Sequence, residues 1–215
     1  MKNNEATLEP AAITTMLRNN IFKLKIEDIG LTHARSPLVW GAMMELGYPD
    51  LAVSLVVLAD GSCSVYLTDG VGAVGCGLYS EVRQTAANML NIAQRMLPHC
   101  ERVEQFPLPA ESRARFYLLT GEGVFSTEVS RHELDEGAVD IAELYYAGHN
   151  VIGMIELLGA GIDIADEMRL AQSELERRAT DTDTSGTHST TTTRFRGRPW
   201  QILPSAGNAA RRWHN

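Results

Sequence analysis

The sequence predicts an α+β protein built on one antiparallel sheet of five strands that carries helices. Three observations predict it. Short, β-branched apolar runs are separated by tight-turn signals, Asp60-Gly61 and Gly121-Glu122-Gly123. Two longer segments, 80–97 and 141–158, place apolar residues at helical spacing or density. An apolar fraction of 44% over 215 residues is enough to fill a core.

The elements follow in order. Residues 1–35 form an N-terminal extension, with a short helix over Pro10–Phe22 and a brief strand where Ile21–Ile29 alternates apolar and charged side chains. Ser36-Pro37 is a helix start, and Leu38, Val39, Met43 and Leu46 recur at helical spacing before Gly47. Leu51–Ala59 is almost continuously apolar, as in a strand buried on both faces. After Asp60-Gly61, Cys63, Val65 and Leu67 alternate with polar neighbours. A glycine-rich loop over 69–77 precedes Ser80, an N-cap with Glu81 suited to the helix dipole. The stripe Val82, Ala86, Met89, Leu90, Ala93, Met96 and Leu97 then runs to Pro98. Strands are expected at 103–108, 115–120 and 124–129, and Ser130 with Glu133 makes a capping box. The helical segment 141–158 has a break signal at Gly148-His149-Asn150. Residues 161–179 hold a polar helix with Glu174 and Arg178 in i,i+4 register. From 180 to 215 a Thr/Ser-rich linker and an arginine-bearing tail have nothing to bury and read as disordered. The domain proper is thus 36–160.

Composition narrows the function classes. No apolar run is long enough to cross a bilayer, and the N-terminus lacks the charged-then-apolar order of an export signal, so the cytoplasm is the expected compartment. Three irregularly spaced cysteines, Cys63, Cys76 and Cys100, make no disulfide framework and no C-x-x-C pair. The net charge of −8 is uneven: Arg194, Arg196, Arg198, Arg211 and Arg212 lie in the last 22 residues, which carry no acid. An acidic body repels nucleic acid, whereas the tail attracts it.

The candidate sites are five. Gly70-Val-Gly72-Ala-Val-Gly75, with Gly77, matches the glycine spacing that lets backbone amides approach a pyrophosphate. Against a dinucleotide site, the helix starts late and the preceding strand belongs to a hairpin. Packing glycines are the structural alternative. His99-Cys100, and the run His132, Glu133, Asp135, Glu136 and Asp140, are explained by a helix C-terminus and an acidic first turn, so neither is assigned catalysis or a metal. Ile141, Leu144, Tyr145, Ile152, Ile155 and Leu158 exceed what one small sheet needs to bury, which points to a homodimer interface beside His149 and Tyr146. Arg194, Arg196, Arg198, Trp200, Arg211, Arg212 and Trp213 mix cations with aromatics, a composition suited to single-stranded nucleic acid or an acidic partner.

The order helix, two strands, long helix, three strands, helix over residues 36–158 resembles the roadblock family of dynein light chains and the wider profilin-like folds. That resemblance implies a five-stranded antiparallel sheet (α-β-β-α-β-β-β-α) in a protein that dimerises or acts as a scaffold. Val39-Trp40-Gly41, Gly47-Tyr48-Pro49, Leu58-Ala59-Asp60-Gly61 and Gly75-Cys76-Gly77 are similar to a group of bacterial proteins with no assigned activity. The expectation is a non-enzymatic, self-associating protein-interaction domain without a cofactor. Two alternatives stand: a small-molecule or nucleotide sensor using Gly70–Gly77, and nucleic-acid binding through the tail.

Overall fold

Pro10 occupies the first turn of helix α1 (Pro10–Ile21), where its missing N–H costs nothing. The computed structural model describes residues 9–32 and 38–158, and places α1 at the start of the first described stretch. One stripe of α1, Thr14, Arg18 and Ile21, is buried. The brief strand expected after it is instead a 3₁₀ turn, Ile26–Ile29. The Asp28 carboxylate accepts from the Lys25 N–H at 2.8 Å, and Gly30 ends the turn at φ 75°. Apolar residues of the expected alternation, Leu24, Ile26 and Ile29, join one core cluster together with Leu31.

The sheet contains seven strands rather than five: β1 (Val39–Gly47), β2 (Ala52–Leu58), β3 (Cys63–Leu67), β4 (Gly72–Ala73), β5 (Glu101–Val103), β6 (Arg113–Thr120) and β7 (Gly123–Ser130). Their spatial order is β4-β3-β2-β1-β6-β7-β5, with every neighbouring pair antiparallel. Where a helix was expected from Ser36-Pro37 to Gly47, residues 39–47 form the central strand β1, and that corrects the predicted element order; Ser36 and Pro37 lie outside the described residues. Every residue of β1 is buried. Val39, Ala42, Met44 and Leu46 pack into one cluster and Trp40 and Met43 into the other. A strand covered on both faces has no period of two to display, so its apolar residues also satisfy a helical template. The second added strand, β4, pairs only through Ala73 and Gly72. The strand expected at 103–108 ends at Val103, and the chain then crosses the sheet face. There Phe106 stacks on Phe22 at 4.1 Å and the Pro107 carbonyl accepts from Tyr117 Oη at 2.6 Å. Pro107 and Pro109 have no amide to give a ladder.

Two helices cover one face of the sheet: α2 (Ser80–Met96) and α4 (Ala142–Leu157), with the short α3 (Arg131–Asp135) before α4. Both long helices join one apolar cluster with Met44, Phe116 and Leu118 of the sheet. Gly148-His149-Asn150 does not interrupt α4. A side chain at 148 would meet Met44 Sδ at 2.5 Å, so the glycine admits close packing. The capping box of α3 forms as its residues predict: the Ser130 N–H donates to Glu133 at 3.2 Å, and the His132 N–H to Ser130 Oγ at 3.2 Å. Ser80 is the first residue of α2 rather than its cap, and its hydroxyl donates to Glu81 at 2.8 Å. α1, the 3₁₀ turn and the 104–112 crossing cover the opposite face. Among the described residues no helix is long and apolar enough to cross a membrane. The expected polar helix at 161–179 and the linker and tail at 180–215 lie outside the described residues.

Candidate functional site

The four glycines of the loop serve different backbone positions. Gly70, at φ 97°, closes the turn after β3, its N–H donating to the Leu67 carbonyl at 3.1 Å. A Cβ there would lie 2.4 Å from Pro10 Cβ and 2.6 Å from the Pro10 carbonyl carbon, so the start of α1 seats directly on this glycine. Gly72 pairs with Tyr66, and Gly75 leads into the 3₁₀ turn Cys76–Leu78. Gly77 lies against the β2–β3 turn, where a Cβ would be 1.9 Å from the Gly61 carbonyl oxygen. The glycines are spread over a turn, a strand and a 3₁₀ turn instead of converging on the first turn of α2.

The nucleophile candidates sit in apolar surroundings. Cys63 and Cys76 are buried; burial pushes the Cys63 thiol upward and that of Cys76 up to about 12. Burial likewise pushes Cys100 up to about 12, and its Sγ faces the Met96 carbonyl. Its neighbour His99 turns to Asp140, Nδ1 to Oδ2 3.5 Å, at the surface. His132 pairs with Glu136 at 3.6 Å along the helix. Among the described residues no three His, Cys, Asp or Glu side chains are placed to hold a metal ion.

Ile141, Leu144, Tyr145, Ile152 and Ile155, expected to face a second subunit, are buried in the chain's own core, and Leu158 is half-buried against it. Leu157, between them in sequence, is 77% exposed. Arg194, Arg196, Arg198, Trp200, Arg211, Arg212 and Trp213 lie outside the described residues.

Sequence reasoning missed the polar site on the other face. Arg18 on α1 reaches down to Glu45 of β1, Nε to Oε1 and Nη2 to Oε2 each at 2.8 Å. Ser54 of β2 donates to the same carboxylate at 2.6 Å. Glu45 is wholly buried and Arg18 nearly so. Burial alone pulls the Arg18 guanidinium down, but the hydrogen bonds and charge of Glu45 outweigh it and the net direction is up. Beside it opens a cleft of about 190 Å³ between α1 and β3. Its polar lining includes Thr14, Thr15, Arg18, Ser54 and Thr68, and its apolar lining includes Leu67 and Leu108. The sequence carried one signal for this site, a single acid inside the apolar run of β1. Nothing local marks Arg18 as its partner.

Comparison with protein-family models, with curated proteins and with solved structures found no significant match to this chain. The functional reading therefore rests on the geometry of the chain itself.

Proposed function

We infer that the chain is a non-enzymatic interaction domain that engages a protein partner on the α1 side of its sheet. The observation that carries this reading is the cleft beside Arg18, Glu45 and Ser54. Its floor is fixed by a two-pronged ion pair, and its rim offers hydroxyls with an exposed leucine, Leu108. Fixed polar groups around an apolar spot suit the insertion of one side chain from a partner, because little ordering is needed on binding. Size favours this over a small-molecule sensor. Typical ligand sites enclose roughly 300–1,000 Å³, whereas this cleft offers about 190 Å³. The glycine loop gives the sensor reading little support, since Gly70 is closed by Pro10 and Gly77 by Gly61.

The burial of Ile141, Leu144, Tyr145, Ile152 and Ile155 removes the apolar surplus that pointed to self-association through α4. The arginine-bearing tail would serve as a tethered accessory contact.

Site-specific photocrosslinking in cells tests the reading. A photoreactive residue at Thr15 or Leu108 is expected to give discrete adducts, and the same residue at Leu157 none. Adducts confined to Leu157 would overturn it. Light scattering on the full chain, with and without the tail, separates adducts to a second copy from adducts to another protein.

A further inference from the structure

At the opposite face from the cleft, α3 is fastened to α4 by polar groups that are incompletely paired. Tyr145 donates its hydroxyl to Asp135 at 3.1 Å. Tyr146 donates to the carbonyls of Leu134 at 3.0 Å and Asp135 at 3.2 Å. Arg131 lies over the ring of Tyr48 at 4.6 Å, and His149 packs its ring edge-on against Tyr145 at 4.4 Å. Within this cluster Arg131 Nε and His149 Nε2 are fully buried atoms without a hydrogen-bond partner in the chain. Buried nitrogens are nearly always paired, so two orphans in one cluster mark a place where a change of charge has large consequences.

We propose that Arg131, Asp135, Tyr145 and His149 form a proton-sensitive latch that holds α3 on α4 while His149 is neutral and loosens when it is protonated. The groups facing His149 decide the outcome. From α3 come the permanent cation Arg131 and the carboxylate Asp135; from α4 comes the neutral Tyr145; from the end of β1, Tyr48 faces Arg131. Beside Gly148, the flank of α4 toward the sheet and α2 meets Met44 and Met89, which do not titrate. Burial, and then the charge of Arg131, lower the His149 pKa below its ordinary value, with Asp135 opposing them. A proton on His149 therefore puts a second cation beside Arg131, and the carboxylate whose charge favours that proton is Asp135, which accepts from Tyr145.

The sign follows from the direction of that shift. Below an unfolded histidine pKa of about 6.5, the open chain takes a proton that the closed latch refuses. The closed form thus loses stability as pH falls from about 6.5 toward the lower folded value, by at most about tenfold in the opening equilibrium per pH unit for one proton. The test is hydrogen exchange on the full chain at pH 7.5 and 5.5, corrected for intrinsic rates, together with an NMR titration of the His149 imidazole. The expected result is faster opening of residues 131–149 at pH 5.5 while β1 and β6 stay protected, with this difference lost in His149→Gln. In Arg131→Gln, the imidazole should titrate closer to 6.5. A His149→Gln protein with undiminished pH dependence, or a wild-type His149 that titrates at 6.5 or above, would overturn the latch. Should His149→Gln fail to fold, the wild-type titration against Arg131→Gln still decides.

Discussion

The two faces of the sheet are covered by helices held in different ways. On one face α2 and α4 bury a continuous apolar layer in which Met44, Met89, Phe116 and Leu144 are fully enclosed. On the other, the buried stripe of α1 is Thr14, Arg18 and Ile21, and its deepest contact is an ion pair. Apolar burial is non-directional and tolerates sliding, and it grows with area. A buried ion pair contributes little net stability against an apolar replacement, but it accepts one position of the helix and penalises the rest. One face is therefore held by area, and the other, which has an apolar cluster of its own, also by register. The face held by register is the one that keeps an open cleft.

The largest expected effect breaks the register side. Glu45→Ala leaves Arg18 buried without its partner and should cost about 3–5 kcal/mol in chemical denaturation. Replacing the pair together, Arg18→Met with Glu45→Leu, should recover most of that loss while leaving α1 less fixed, seen as faster amide exchange in 10–21. A double variant as unstable as Glu45→Ala would mean that α1 is held by area as well. On the area side, Leu144→Ala should cost about 2–5 kcal/mol, with α1 exchange unchanged below global unfolding.

Gly70→Ala comes next, at about 1–3 kcal/mol for a strained positive φ, and the close approach of Pro10 directs the damage to α1. Unchanged exchange in α1 would show that the helix does not depend on that seat. The smallest effect is expected at Leu157, whose exposed side chain should tolerate serine within about 0.5 kcal/mol. A larger loss would expose a contact on the α4 side.

The same division explains what could be read from the sequence. The hairpin around Asp60-Gly61, the helix from Ser80, the hairpin 113–130 and the Ser130–Glu133 box are local: turn chemistry and spacing within a few residues determine them. The identity of β1 was not legible, because burial on both faces erases the alternation that marks a strand. The Arg18–Glu45–Ser54 site was not legible for a different reason. It joins α1 to two strands, and a long-range polar pair leaves no period in either segment. The glycine loop shows the converse, a pattern resembling a ligand motif in which Gly70 is required by the close approach of Pro10 and the neighbouring Gly77 by that of Gly61. The surplus of apolar residues in α4 was legible, but a sheet of seven strands offers more surface to cover than the five expected, and α4 covers it.

The position of β1 has a consequence for synthesis. One edge of this strand pairs with β2, the next strand to be made, but its other edge pairs with β6, made only after α2 is complete. As the chain leaves the ribosome, an apolar strand keeps one unpaired edge throughout that interval. Such an edge is a template for wrong partners. Yield on expression should therefore depend more on translation pauses between β2 and β6, and on chaperone supply, than the stability of the finished fold would suggest.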